Sequence, residues 1–470
     1  MGTRADLLVR NAQAVVGSQT VFCDILVDKG RIAGLLPWGR GETSAVTVVE
    51  ADGRWVIPGA IDTHCHMGQV APEYEDQPGL GGASNFAWES RAAVAGGVTT
   101  ALNYLKFGQG SMLEMYDRQA QAVREHSIID VLFHGYIMNG LHLAEVEEAT
   151  ARGIRSFKIF LPYRGEEARS LGGVSSLDYG ELQVALRRLQ AVGAQAMLHA
   201  EDGDIVDVNT KALIDGEAGS LAEWEASRPT TAEGTAAFAG LYLAQREGCK
   251  ITIVHVSSRE PVAARRALGF WEAALESCPH YLVLAVEDHL GPEGKVAPPI
   301  RHRVEVEALW DAVVAGEINF FGSDHNVWPQ AAKCAVWTGK AGLPGVDTMV
   351  SLLLTGGWVE RGVPLSRMVE LLSTNAARRF GLYPEKGTIQ VGADADLVLL
   401  ETGRKVVTAR ESQSAVDYSP YEGMVIRAWP CTTIRRGEIV FKDGVCIDGV
   451  GPGRVLNTGL DRTGTSRAEG

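Results

Sequence analysis

Hydrophobic and polar positions along this chain follow two different rhythms. Near the N-terminus they alternate over Asp6 to Val16, Val21 to Asp28, Arg31 to Leu36 and Val46 to Glu50. That period of two predicts strands with one buried face. Asp28-Lys29-Gly30 supplies a hairpin-like turn between two of them. The same texture returns over Thr388 to Leu400 and again over Thr433 to Val445, with turns at Arg436-Gly437 and Lys442-Asp443-Gly444. The two chain ends are therefore expected to build one small β-sandwich together.

Between the ends, short apolar runs take over. They are Trp55 to Ile61, Thr99 to Leu105, Asp130 to Met138, Ser156 to Leu161, Ala194 to Leu198, Lys250 to Val254, Phe270 to Leu275 and Ile318 to Gly322. Ala- and Glu-rich helical stretches separate them, such as Glu181 to Val192 and Ala87 to Ala95, the latter stopped by Gly96-Gly97. Near-continuous apolar strands suit a parallel sheet covered on both faces. About eight strand–helix units predict an α/β fold, a (β/α)8 TIM barrel. The expected order is sandwich strands over 1–56, the barrel over 57–384, more sandwich over 385–450, and a C-terminal tail over 451–470. Rich in Gly, Thr and Arg, that tail is expected to be mobile or to pack on a neighbouring subunit.

Chemistry in such a barrel sits at the C-terminal ends of the strands, and the polar residues fall there. The first run ends in His64 and His66, which share a face because side chains alternate along a strand. Lys158 lies within the fourth run, His199 and His255 end the fifth and sixth, and Asp324 follows the eighth. Each has an ordinary reading: a hydrogen-bonded core histidine, a lysine reaching solvent, an aspartate capping a helix. Five separate runs placing such residues on one rim point instead to a metal site. A lysine buried among apolar neighbours loses its proton readily, and the neutral amine can capture carbon dioxide as a carbamate. That anionic group could bridge two ions, one held by His64, His66 and Asp324, the other by His199 and His255. His126, His142 and His302 lack this placement and are expected at the surface. His134, His280, His289 and His325 stand nearer strand ends or loops, as pocket residues rather than ligands.

Composition narrows the partners. The chain has 470 residues with a formal net charge of -14, which argues against nucleic acid or an anionic membrane as partner. Seven scattered cysteines with no CxxC pair, and an N-terminus without the apolar core of a signal peptide, fit a reducing cytoplasm. No stretch reads as a membrane helix.

At this point the residues resemble a known family. Pro58-Gly59-x-Ile61-Asp62-x-His64-x-His66, Ser156-Phe157-Lys158, His199-Ala200-Glu201-Asp202, His255-Val256-Ser257-Ser258, Glu276-Ser277-Cys278-Pro279-His280-Tyr281, Ala297-Pro298-Pro299-Ile300-Arg301 and Ser323-Asp324-His325 are similar to the cyclic amidohydrolases: dihydropyrimidinases, hydantoinases and allantoinases. The resemblance implies hydrolysis of a small cyclic amide with two divalent metal ions, usually zinc, and a carbamylated Lys158. It makes Asp324 the proton carrier and implies a homotetramer or homodimer. Tyr163, five residues after Lys158, matches the tyrosine that bonds the attacked carbonyl in hydantoinases and dihydropyrimidinases; allantoinases generally lack it. Backbone contacts to the substrate ring are implied at Ala297 and at Ala341, where relatives usually carry Asn before Gly-x-Pro-Gly. Departures occur at Asn326-Val327-Trp328-Pro329 and in the loop from Met67 to Asn85, which carries Glu73, Glu75 and Asp76. That loop and Arg164 to Ser176 are candidate lids. The leading expectation is a hydantoinase or dihydropyrimidinase activity. The alternatives are an allantoinase, an imidase or lactam hydrolase, and a non-enzymatic scaffold relative.

Overall fold

The computed structural model describes residues 5–39, 45–69, 72–163, 176–214 and 219–458. Five strands open the chain: β1 (Ala5–Val16), β2 (Gln19–Asp28), β3 (Arg31–Pro37), β4 (Ala45–Glu50) and β5 (Trp55–Pro58). Eight follow with helices between them: β6 (Ala60–Cys65), β7 (Val98–Tyr104), β8 (Asp130–Tyr136), β9 (Ser156–Phe160), β10 (Gln195–His199), β11 (Lys250–Ile253), β12 (Ala274–Ser277) and β13 (Phe320–Phe321). The chain ends with β14 (Leu397–Val406), β15 (Val425–Arg435), β16 (Glu438–Lys442), β17 (Val445–Cys446) and β18 (Val455–Leu456).

Strands β6 to β13 pair in chain order and in parallel, as an eight-stranded barrel requires. Strands β6 to β10 are buried at every position, which explains their continuous apolar text. A bridge between Cys65 and His325 brings the eighth strand's exit against β6. The terminal strands form a second sheet in the order β17-β16-β15-β14-β5-β1-β2-β3, with β4 beside β1. It has its own apolar core, including Leu7, Val9, Ile25, Val27, Ile32, Leu397 and Ile434. Among the described residues, no helix is long and apolar enough to cross a membrane.

The structure corrects several expectations. The run from Trp55 to Ile61 is two strands, not one. Trp55–Pro58 pairs with β1 and β14 in the terminal sheet, and the barrel begins at Ala60. Pro58 lacks a donor for a further ladder bond, and at Gly59 an added Cβ would lie 2.1 Å from Thr99 Oγ1, so only glycine permits the crossing. The seventh strand starts at Ala274 rather than Phe270, because Gly269 ends the preceding helix in the left-handed conformation and Phe270–Ala273 make the turn. The tail does not leave the molecule as far as Thr458. Gly453 donates to Ser127, and β18 pairs with Val131 and Leu132 of β8. His142 is buried rather than exposed: its Nε2 donates to Gly110 O at 2.9 Å and its Nδ1 accepts from the Met138 amide. Most of the candidate lid from Arg164 to Ser176, and Val70 and Ala71 of the other, lie outside the described residues.

Candidate metal centre

The six residues singled out from sequence converge at the C-terminal mouth of the barrel, and all are buried. His64 Nε2 and His66 Nε2 stand 3.2 Å and 3.1 Å from the same atom, Asp324 Oδ1. Lys158 Nζ lies 3.2 Å from His64 Nε2 and 3.2 Å from His255 Nε2, between the two halves of the site. The His199 and His255 rings meet with centroids 4.4 Å apart. Tyr163 joins them, its ring centroid 5.4 Å from that of His199.

Carboxylates fix which ring nitrogen faces inward. Glu276 Oε1 takes His64 Nδ1 at 2.6 Å, while its Oε2 accepts from Thr63 Oγ1 at 2.6 Å. Glu201 Oε2 takes His199 Nε2 at 2.7 Å and is itself held by Arg228 Nη1 at 3.0 Å. His64 is thereby left with Nε2 and His199 with Nδ1 as the free lone pair. Asp62 clamps the first strand to the eighth: its Oδ1 accepts from the amides of His64 and Ser323, and its Oδ2 from Ser323 Oγ. His134 is engaged at both nitrogens, by Ser156 Oγ and by Thr63 O, so it supports the site and does not ligate. His325 is likewise held, by Glu89 at Nε2 and the Gly345 amide at Nδ1.

The electrostatics follow from burial. Desolvation lowers the Lys158 amine to about 8, against the pull of Asp324 and Glu276. Desolvation pushes His64 and His255 well below the ordinary imidazole range, with Lys158 adding to it, and lowers His134 to about 3. The histidines are therefore neutral, the form that binds metal. Burial raises Glu276. Burial works against the Asp324 carboxylate too, but the bonded His66 and nearby Lys158 outweigh it and hold it below its usual range.

This donor set fits a divalent cation. His64 Nε2 and Asp324 Oδ1 are both acceptors and face each other at 3.2 Å. Such an arrangement repels unless positive charge sits between them. The inner ligand atoms of His64, His66 and Asp324 all lie within 4.8 Å of one another. The carboxylates of Asp130, Asp394 and Asp396 cluster as closely, within 4.8 Å of one another. That cluster already contains a cation: Lys386 Nζ lies 2.8, 3.3 and 2.6 Å from the three carboxylates.

A sequence profile of the Amidohydrolase family matches residues 55–440. The chain belongs to this family. An allantoinase of Rubrobacter xylanophilus is 34% identical over 454 residues, covering 94% of this chain and 96% of that protein. A D-hydantoinase of Geobacillus stearothermophilus is 32% identical over 464 residues, 93% of each. The solved structure of an L-hydantoinase (dihydropyrimidinase) from Arthrobacter aurescens superposes with a TM-score of 0.87 at 28% identity, over 96% of this chain and all of that one.

The two segments singled out for ring contacts lie side by side. The Gly342 amide donates to Lys295 O at 3.0 Å, which joins the stretch after Ala341 to the one before Ala297. The Ala341 carbonyl accepts from Trp328 Nε1 at 3.0 Å, so one of its lone pairs is already used. Sequence reasoning assigned no role to Asp62, Glu201, Glu276 or Arg228. For the three carboxylates the available signal was a charged residue inside or just after an apolar run, the same signal that exposed Lys158; Arg228, in Ala226-Ser227-Arg228-Pro229, carries no such signal.

Proposed function

We propose that this chain hydrolyses the ring amide of a cyclic ureide or imide of the hydantoin or dihydropyrimidine kind. The proposed centre takes two divalent ions, zinc in the first instance, on His64, His66, Lys158, His199, His255 and Asp324. N6-carboxylation would turn Lys158 into the anionic bridge. The observation that carries the reading is Asp324 Oδ1 within 3.2 Å of two histidines, with Lys158 equidistant between His64 and His255. Ions bound there would lower the pKa of water toward about 7 and polarise the ring carbonyl. Asp324 accepts the proton of the attacking water and later delivers it to the leaving nitrogen. Tyr163, edge-on to His199, donates its hydroxyl to the carbonyl oxygen as negative charge gathers there. The backbones at Ala297 and Ala341 hold the amide edge of the ring. Free cysteines fit a cytoplasmic enzyme, and the family resemblance fits a homotetramer or homodimer.

The 34% identity to an allantoinase supports a second reading, in which allantoin is the ring opened; Tyr163 favours the first. A turnover panel separates them: metal-loaded enzyme with hydantoin, 5-substituted hydantoins, dihydrouracil, allantoin and a simple cyclic imide. Ring opening of hydantoins or dihydrouracil is expected. Activity on allantoin alone selects the second reading, and hydrolysis of none refutes both.

A further inference from the structure

Lys333 is 3% exposed, and among the described residues no carboxylate pairs with it. All three of its donors are nevertheless used. The Nζ bonds the carbonyl oxygens of Lys295 at 3.0 Å, Lys340 at 3.2 Å and Gly342 at 2.6 Å. Burying an ammonium on neutral acceptors is expensive: desolvation, reinforced by the nearby Lys295 charge, lowers its amine to about 7. An apolar side chain of similar length would fill the space without that cost. What the ammonium adds is geometry.

The three carbonyls belong to the two stretches that carry the proposed ring contacts at Ala297 and Ala341. Lys295 stands two residues before Ala297, and Gly342 directly follows Ala341. Lys295 O takes the Gly342 amide as well as the Lys333 ammonium, so one atom ties both segments and the anchor together. From Gly342 the chain runs to Leu343, which bridges His325 and accepts from the Asn326 amide at 3.0 Å, beside Asp324. The Lys295 side chain adds a bond to Gly339 O at 2.7 Å and lies over the Trp224 ring at 4.3 Å. Trp224 Nε1 in turn holds the Val296 carbonyl at 2.8 Å. Both stretches are thus fastened at several points, with the Lys333 ammonium at the junction.

We propose that Lys333 is a positioning residue, its ammonium setting the spacing between Lys295–Ala297 and Ala341–Gly345 and so between the backbone groups that hold the ring. This rests on the ring-opening reading above. The Lys333 hydrogen bonds go to none of the six metal-centre residues, so its loss acts on ring binding and leaves the centre intact. For Lys333→Met, KM on the best ring substrate rises about tenfold or more while kcat stays within about threefold and metal content is unchanged. Lys333→Arg keeps the charge, but its planar fork cannot place three N–H groups at the same points; it gives a smaller rise in KM.

An unchanged KM in soluble, metal-replete Lys333→Met overturns the proposal. So does a joint collapse of kcat and metal content, or failure of both variants to fold, since each assigns Lys333 to the general scaffold. If the wild-type protein opens no ring, the functional reading has failed, and amide hydrogen exchange still tests the positioning claim. Lys333→Met should speed exchange at the Gly342 and Asn326 amides and leave β8 to β10 unchanged; equal exchange at those two amides sinks it.

Discussion

Asp324 and His255 share a backbone property that the other four proposed ligands lack: φ values of +50° and +40°, in the left-handed region. Non-glycine residues held there cost on the order of 1–3 kcal/mol each, and both occur where a strand's exit must turn a side chain into the barrel mouth. For Asp324→Asn, which keeps shape and backbone while removing the charge and the proton acceptor, kcat/KM should fall by at least about 10²–10⁴-fold. Steady-state kinetics on the best ring substrate check this, and a rate near wild type would remove Asp324 from its proposed role. The carboxylates behind the histidines give a separate expectation. Glu201→Gln and Glu276→Gln should weaken metal affinity by about 10–100-fold, read by competition with a chelator of known affinity. The inward-facing residues were legible in the sequence because a histidine or aspartate ending an apolar run is conspicuous. Glu276 and Asp62 were less so, because a carboxylate at such a place announces its burial but not which histidine it orients.

At the level of elements, barrel closure depends on a strand of two residues. β13 is only Phe320–Phe321, and the chain then passes Gly322 on its way to Asp324. An added Cβ at Gly322 would lie 2.4 Å from His64 Cβ and 3.0 Å from His64 N. Neither is the far end of a flexible side chain, so the strands would have to part. Gly322→Ala should therefore destabilise the fold by about 1–3 kcal/mol and weaken metal binding through displaced His64. Denaturant titration and metal titration on the same samples test both parts; loss of stability with metal affinity intact would place the strain elsewhere. The barrel was legible because its strands are covered on both faces and read as apolar runs. Their limits were not. Trp55 to Ile61 is continuously apolar across a change of sheet, and Phe270 to Leu275 mixes an apolar turn with a strand. Hydropathy reports burial, while the breaks are set by what backbone groups can bond and by the Thr99 side chain crowding Gly59.

Across the whole molecule, the barrel and terminal sheet meet at the opposite rim around a buried cation, Lys386, with the Arg436 guanidinium 3.5 Å from Asp130 beside it. Asp130 is the first residue of β8, so it lies at the end away from the metal centre, and Asp394 and Asp396 precede β14. Lys386 bonds all three, the Arg454 amide donates to Asp130 Oδ1, and the Arg436 amide to Asp396 Oδ1. Replacing Lys386 with Met leaves three buried carboxylates around an apolar tip. Removing one partner of a buried ion pair costs about 3–5 kcal/mol, so Lys386→Met should lower unfolding free energy by that order while metal stoichiometry stays unchanged in the folded fraction. The sign with pH follows from Lys386. Burial lowers its amine, but the three carboxylates outweigh it and raise it above the ordinary value. A group whose folded pKa is raised contributes fully below its unfolded value, about 10.4 for lysine, and loses that contribution only as pH rises through the folded value. The stability difference between wild type and variant should thus be flat from about pH 7 to 9 and shrink only in strong alkali. Denaturant midpoints across that range decide it: a difference that vanished between those values would mean that Lys386 is not the charge joining the two sheets.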